Sequence, residues 1–247
     1  FDAGRGVTVQ LVKAGVPLAA VNPVFITHHH FDHIGDLYDV MLATWMGGRQ
    51  GPLQIYGPPD TERLVNTLLT QVYDKDITWR DKGEPAMGGW KPVVATDVIA
   101  GPVVDNGRWK VSAETVCHGN GLDIPAAFMK RWTCHGYRFE AEGKVVAISG
   151  DTVPCEGLDR LARGADVLVQ CCFLATPEIT SEHFRRLARF TLACGDTVGK
   201  VAAKAGGKTL VLTHHRPRAD GAMLEVLAEE VAKDFSGHIV IGQDLTE

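Results

Sequence analysis

Thr27-His28-His29-His30-Phe31-Asp32-His33 places four histidines and one carboxylate in six consecutive positions. Read with its gaps, it is His28-x-His30-x-Asp32-His33. Imidazole nitrogen and carboxylate oxygen are the donors that suit Zn²⁺ and similar divalent ions. Adjacent Asp32 and His33 do not easily reach the ion that His28 and His30 reach. A short loop carrying all four therefore fits two neighbouring ions better than one. The run is internal, unlike a purification tag, which is terminal and uninterrupted. It follows Val24-Phe25-Ile26-Thr27, an apolar, β-branched strand signal. It precedes Ile34-Gly35-Asp36-Leu37, where Asp36 is placed to cap a helix reaching about Met46. A histidine loop at the end of a core strand reads as an active-site loop.

Further donors stand in similar places. His118 follows an alternating strand over residues 111–117, and Asp151 follows Lys144-Val145-Val146-Ala147-Ile148 and then Ser149-Gly150. His214 follows Thr209-Leu210-Val211-Leu212-Thr213. Taken singly, each has an ordinary explanation: a packed histidine, or a Ser-Gly-Asp-Thr turn. Their recurrence is the argument, because four strand ends each carry a metal-type side chain.

Together, His28-x-His30-x-Asp32-His33, His118, Asp151 and His214 resemble the metallo-β-lactamase superfamily, and within it the ribonuclease Z and arylsulfatase-like branch. The likeness covers nearly the whole chain. Phe1-Asp2-Ala3-Gly4-Arg5-Gly6-Val7 resembles that branch's early Asp-x-Gly strand end. Gly136-Tyr137-Arg138-Phe139 and Ser149-Gly150-Asp151-Thr152 resemble its middle. Gly164-Ala165-Asp166-Val167-Leu168-Val169 and Leu210-Val211-Leu212-Thr213-His214 resemble its last third. The resemblance implies an α/β fold, an αββα sandwich with metals at one edge of two sheets. It implies two divalent ions, Zn²⁺ first, with Mn²⁺ or Fe²⁺ as alternatives. His28, His30 and His118 go to one ion, Asp32, His33 and His214 to the other, and Asp151 bridges them. Asp32 and His215 are the expected catalytic groups, with His215 facing substrate. His29 alternates away from the ligands, and His135 lies packed in a strand-like run. Asp2 is structural, holding the histidine loop through hydrogen bonds.

Two such ions lower the pKa of a shared water towards about 7. The expected reaction is hydrolysis of an ester-like bond: a phosphodiester, sulfate ester, carboxylic ester or lactone. Departures from ribonuclease Z bear on the choice. That family has a His-Glu-x-Thr segment where this chain reads Gln170-Cys171-Cys172-Phe173, after a strand read as ending at Val169. The glutamate of that segment, which falls on Cys171, cooperates in that family with a histidine in protonating the leaving oxygen, and counting back without gaps from His214 the histidine falls on Leu192. Leucine transfers no proton, and cysteine is a poor stand-in for a carboxylate. The long basic tRNA-clamping arm of that family is also missing from residues 119–150. Net charge is −5 and the pI about 6.1, whereas nucleic-acid binders show a basic surplus or stripe. Arg185, Arg186 and Arg189 share one helix face, either simply solvated or an anion-recognition patch. The expected partner is therefore a small-molecule ester, with aryl sulfates or aryl phosphodiesters first and lactones second, and not nucleic acid. The alternatives are a ribonuclease Z-type tRNA 3′-processing endonuclease and a non-catalytic metal-binding member of the fold.

At 247 residues, 45% hydrophobic, the chain reads as one hydrolase domain spanning 1–247. No apolar run approaches the roughly 18 residues that cross a membrane. A helix is expected over about 61–73, with Leu64, Val65, Leu68, Leu69 and Val72 on one face. The Gly- and Pro-rich stretch 82–92, with Trp79, Met87 and Trp90 in or beside it, suits a lid, a homodimer contact or, equally, local packing of the aromatics. By that resemblance the chain is expected to be N-terminally incomplete, with the family's opening strands, and any signal peptide, lying before Phe1. Six cysteines fit a reducing cytoplasm.

Overall fold

The computed structural model of the protein describes residues 1–84, 88–216 and 221–246. They form a mixed α/β structure in two units, Phe1–Val98 and Ile99–Thr246, each with its own sheet.

The first unit holds three parallel strands in the order β1 (Val24–Phe25), β2 (Leu53–Gly57), β3 (Val93–Asp97). Val24 lies opposite Ile55, and Ile55 opposite Ala95. Parallel neighbours need crossovers. The first carries helices α2 (Phe31–Ile34) and α3 (Leu37–Met46), which follow α1 (Val7–Lys13) in the chain. The second carries α4 (Thr61–Thr67) and α5 (Asp74–Gly83). Leu37, Val40 and Met41 of α3 bury against Val24, Ile26, Leu53 and Ile55, forming this unit's apolar core.

Three local expectations change here. Asp36 stands at the N-cap of α3 without capping it; its carboxylate instead accepts the Gly6 amide, tying α1 to α3. The helix expected over 61–73 becomes α4 followed by a π-helical turn, Leu68–Val72, which rotates Val72 out to 56% exposure. Trp90 is packed edge-on against Trp45, whose Nε1 donates to the Gly89 carbonyl. Trp79 is exposed, but on α5 rather than on a loop, and Met87 lies outside the described residues.

The second unit holds seven strands in the order β10-β9-β8-β7-β6-β5-β4. They are β4 (Gly101–Asp105), β5 (Trp109–Thr115), β6 (His135–Ala141), β7 (Lys144–Ile148), β8 (Val167–Cys171), β9 (Thr209–Thr213) and β10 (His238–Ile241). β4 to β7 pair antiparallel, and β7 to β10 pair parallel. Two antiparallel steps separate β5 from β7, so β5, β7, β8 and β9 all run the same way. Their C-terminal ends meet at one edge of the sheet, and His118, Asp151 and His214 each follow one of those ends. β8 runs two residues beyond the expected Val169, so Cys171 ends the strand rather than sitting in the loop.

Helices α7 (Glu156–Ala162), α9 (Gly195–Ala205) and α10 (Gly221–Ala232) supply the crossovers among the parallel strands. Leu158, Leu161, Val198, Leu227 and Val231 pack on Leu168, Leu210 and Leu212. Gly157 lets α7 lie directly on the end of β5, since a Cβ there would sit 1.8 Å from the Thr115 carbonyl oxygen. Among the described residues, no helix is long and apolar enough to cross a membrane.

Candidate metal centre

In the first unit, the histidine loop hangs from Asp2. One carboxylate oxygen of Asp2 accepts the Thr27 amide at 2.7 Å; the other accepts Thr27 Oγ1 at 2.9 Å and His33 Nδ1 at 2.7 Å. A carboxylate only accepts, so His33 carries its proton on Nδ1 and keeps a lone pair on Nε2. Thr27 spends its one hydroxyl proton on Asp2, so at 3.0 Å His28 Nδ1 must be the donor. That leaves the His28 lone pair on Nε2 as well, 3.0 Å from His30 Nδ1. The His28 ring centroid lies 4.1 Å from that of His33 and 4.7 Å from that of His30. Asp32 is exposed in the first turn of α2, with Oδ2 3.9 Å from His33 Nε2. His29 points elsewhere. Its Nε2 lies 2.8 Å from Thr61 Oγ1, and burial above all lowers its pKa.

In the second unit, His118 is buried, and its Nδ1 lies 2.6 Å from the Thr191 carbonyl oxygen. A carbonyl also only accepts, so His118 presents its lone pair on Nε2, 3.9 Å from Asp151 Oδ2. His214 Nε2 approaches that same oxygen at 3.4 Å. Asp151 is 4% exposed, so one buried carboxylate oxygen faces two imidazoles. His214 stands in the left-handed region, φ 59°. Non-glycine residues adopt it at a cost, mostly at functional sites.

Orientation through Nδ1 with Nε2 left available is how proteins present imidazole to a metal. His33 and His118 show it outright, and in both units carboxylate oxygens lie beside the presented nitrogens. The donor set fits divalent cations.

The other candidates fall in less reactive places. His215 donates Nδ1 to the Cys172 carbonyl at 3.1 Å; its buried Nε2 has no hydrogen-bond partner among the described residues. Burial is the main cause of its lowered pKa, so it stays neutral. Cys171 accepts the Thr152 amide and donates to the Thr152 carbonyl, both at 3.3 Å, and burial pushes its thiol up to about 12. It pins the Asp151–Thr152 turn to β8 and supplies no acid. Leu192 is buried in the core. His135 is buried on β6, opposite Thr115, and His183 is exposed on α8 (Glu182–Phe190). Thr191 was missed by sequence reasoning. It acts through its main-chain carbonyl, 73 residues from His118, and that leaves no trace in residue type.

A family model described as the Beta-lactamase superfamily domain matches residues 1–215. The chain belongs to the beta-lactamase superfamily. Within this superfamily it is 31% identical to ribonuclease Z of Mycobacterium bovis strain BCG over 252 residues, 99% of this chain and 85% of that protein. It is 32% identical to ribonuclease Z of Mycolicibacterium paratuberculosis over 251 residues, with the same coverage. Among solved structures, it is similar to the metallo-beta-lactamase fold protein YhfI from Bacillus subtilis (TM-score 0.70, 19% identity, 98% of this chain and 83% of that one). It is also similar to human tRNase Z, short form (TM-score 0.66, 19% identity, 100% and 85%). The architecture is that of metallo-β-lactamase-fold proteins, and the protein is a hydrolase of that fold.

These relatives overturn one expectation from the sequence, that the partner is a small-molecule ester and not nucleic acid. The error is physical. A net charge of −5 sums over the whole surface, whereas an RNA chain is held by a few well-placed cations.

Proposed function

We propose that the protein is a ribonuclease Z-type phosphodiesterase that cuts precursor tRNA at its 3′ end. The observation that carries this reading is 31–32% identity to ribonucleases Z along 99% of the chain. In this reading His28, His30 and His118 hold one divalent ion, Asp32, His33 and His214 hold a second, and Asp151 serves both. When bound, such ions supply a nucleophile from water near neutral pH and countercharge for the phosphate. The protein's own part is to hold the donors. Asp2 and Thr27 set the tautomers of His33 and His28, and the Thr191 carbonyl sets that of His118. His215 directs Nδ1 at the Cys172 carbonyl and keeps Nε2 buried, so it does not protonate the leaving oxygen. Leu192 and Cys171 provide no proton either, so side-chain acid catalysis contributes little at those two positions.

The test is a precursor tRNA transcript with a 3′ trailer, incubated with protein loaded with Zn²⁺ or Mn²⁺. One endonucleolytic cut at the end of the acceptor stem is expected, and none with Asp151→Ala. Protein that carries its full metal complement and leaves the transcript intact would overturn the ribonuclease reading. Protein that binds no metal would overturn the proposed centre.

A further inference from the structure

Two cationic and aromatic elements bracket His118, and the metal centre does not use them. The first is the loop after His118, which carries α6 (Ala126–Met129). Its Phe128 is 48% exposed and stacks on Trp132, with ring centroids 5.6 Å apart and planes 22° apart. Trp132 is anchored in turn. Its Nε1 donates to the His118 carbonyl at 2.9 Å, and its ring lies 6.3 Å from the His118 ring. Lys130 follows on the exposed surface.

The second element is α8. Ser181 caps it by accepting the Phe184 amide at 3.2 Å. Leu187 packs on the core, so Arg185, Arg186 and Arg189 are left facing outward. Arg185 is engaged by Glu182 at 3.1 Å. The Arg189 guanidinium lies 4.9 Å from the centre of the Phe190 ring. Arg186 has no charged partner among the described residues. The C-terminal end of α8 abuts the loop: the Phe190 carbonyl accepts the Gly119 amide at 2.6 Å. Phe190 also packs so closely on Gly121 that a Cβ there would meet its ring at 2.9 Å.

We propose that this surface, Phe128 on Trp132 with Lys130, Arg186 and Arg189, binds an unpaired segment of RNA leading to the metal centre. The inference rests on the ribonuclease reading and names where that substrate lies. An exposed aromatic face held by a second ring is a platform on which any unpaired base stacks. Arginines on an outward helix face meet phosphates without a competing carboxylate. Asp123 is the one acidic residue in 119–132, and Glu182 is already taken up by Arg185. The surface is thus locally basic on a chain of net charge −5. A paired helix would offer no free base to Phe128, so the fit is to single-stranded RNA.

The test is fluorescence anisotropy of metal-loaded protein with a labelled twelve-nucleotide single-stranded RNA across a salt series, with RNA integrity checked on a gel. Phe128→Ala should weaken binding about tenfold, the usual scale for one stacked base, and Phe128→Trp should restore it. Replacing Arg186 and Arg189 together by Ala should lower the slope of log affinity against log salt by about 1.4, roughly 0.7 for each single-strand phosphate deprived of its arginine. These side chains are exposed, and thermal melts of each variant should match wild type. If affinity and salt slope stay at wild-type values in both variants, the face is merely solvated and the inference falls. If those variants still cut precursor tRNA at the wild-type rate, the ribonuclease reading stands without this surface. If the oligonucleotide binds as described but precursor tRNA is not cut, the surface stands and the ribonuclease reading falls.

Discussion

The two halves of the donor set are built in opposite ways. His28, His30, Asp32 and His33 come from six consecutive residues, held mainly by the side chains of Asp2 and Thr27. His118, Asp151 and His214 come from three strand ends far apart in the chain, and a main-chain carbonyl orients His118. The first half depends on a few polar side chains. The second depends on sheet register and on how closely α7 and α8 approach the strand ends. Polar substitutions should therefore damage the first half, and packing substitutions the second.

The largest expected effect removes that asymmetry. Asp151→Ala takes away the oxygen that faces both His118 and His214. Elemental analysis after dialysis should show metal content falling close to zero, because the carboxylate is proposed to serve both ions. Retention of one tightly held ion would show that Asp151 serves only one.

Asp2→Ala comes next and tests the first half alone. It removes the acceptors of Thr27 and His33. Losing a group that orients metal ligands typically costs 10- to 100-fold in metal affinity, which competition against a chelator would measure. Wild-type affinity would mean that the loop is held by something other than Asp2.

Gly157→Ala tests the second half without touching a donor. The new Cβ would collide with the Thr115 carbonyl and push α7 away from the strand that leads to His118. Overpacking of this kind costs about 1–3 kcal/mol, readable as a lower urea midpoint, together with weaker metal retention. A lower midpoint with metal affinity unchanged would show that His118 does not depend on this packing.

Thr61→Val should have the smallest effect. It breaks the contact between His29 and Thr61 Oγ1 and should cost about 1 kcal/mol with metal content at wild-type level. Loss of metal in this variant would draw His29 into the centre after all.

Legibility followed the same division. The His28–His33 loop was readable because its donors, spacing and preceding strand are contiguous. The helices were legible as segments but not in their ends. Asp36 had a better partner in Gly6 than in its own helix, and a π turn rotated Val72 outward. Substrate class was misjudged for a related reason. Net charge is a sum over the whole surface, and it does not tell where single cations such as Arg186 and Arg189 stand.

Sequence alone determined which side chains offer donors, and that Leu192 has no proton to give, because donor and acid chemistry belong to the residue itself. Tertiary structure alone decided which nitrogen of His118 is presented and that Asp151 turns one oxygen towards two imidazoles. It also decided that Cys171 is a clasp on Thr152. Those outcomes depend on main-chain carbonyls and amides brought together by sheet register, and such groups are the same in every residue type.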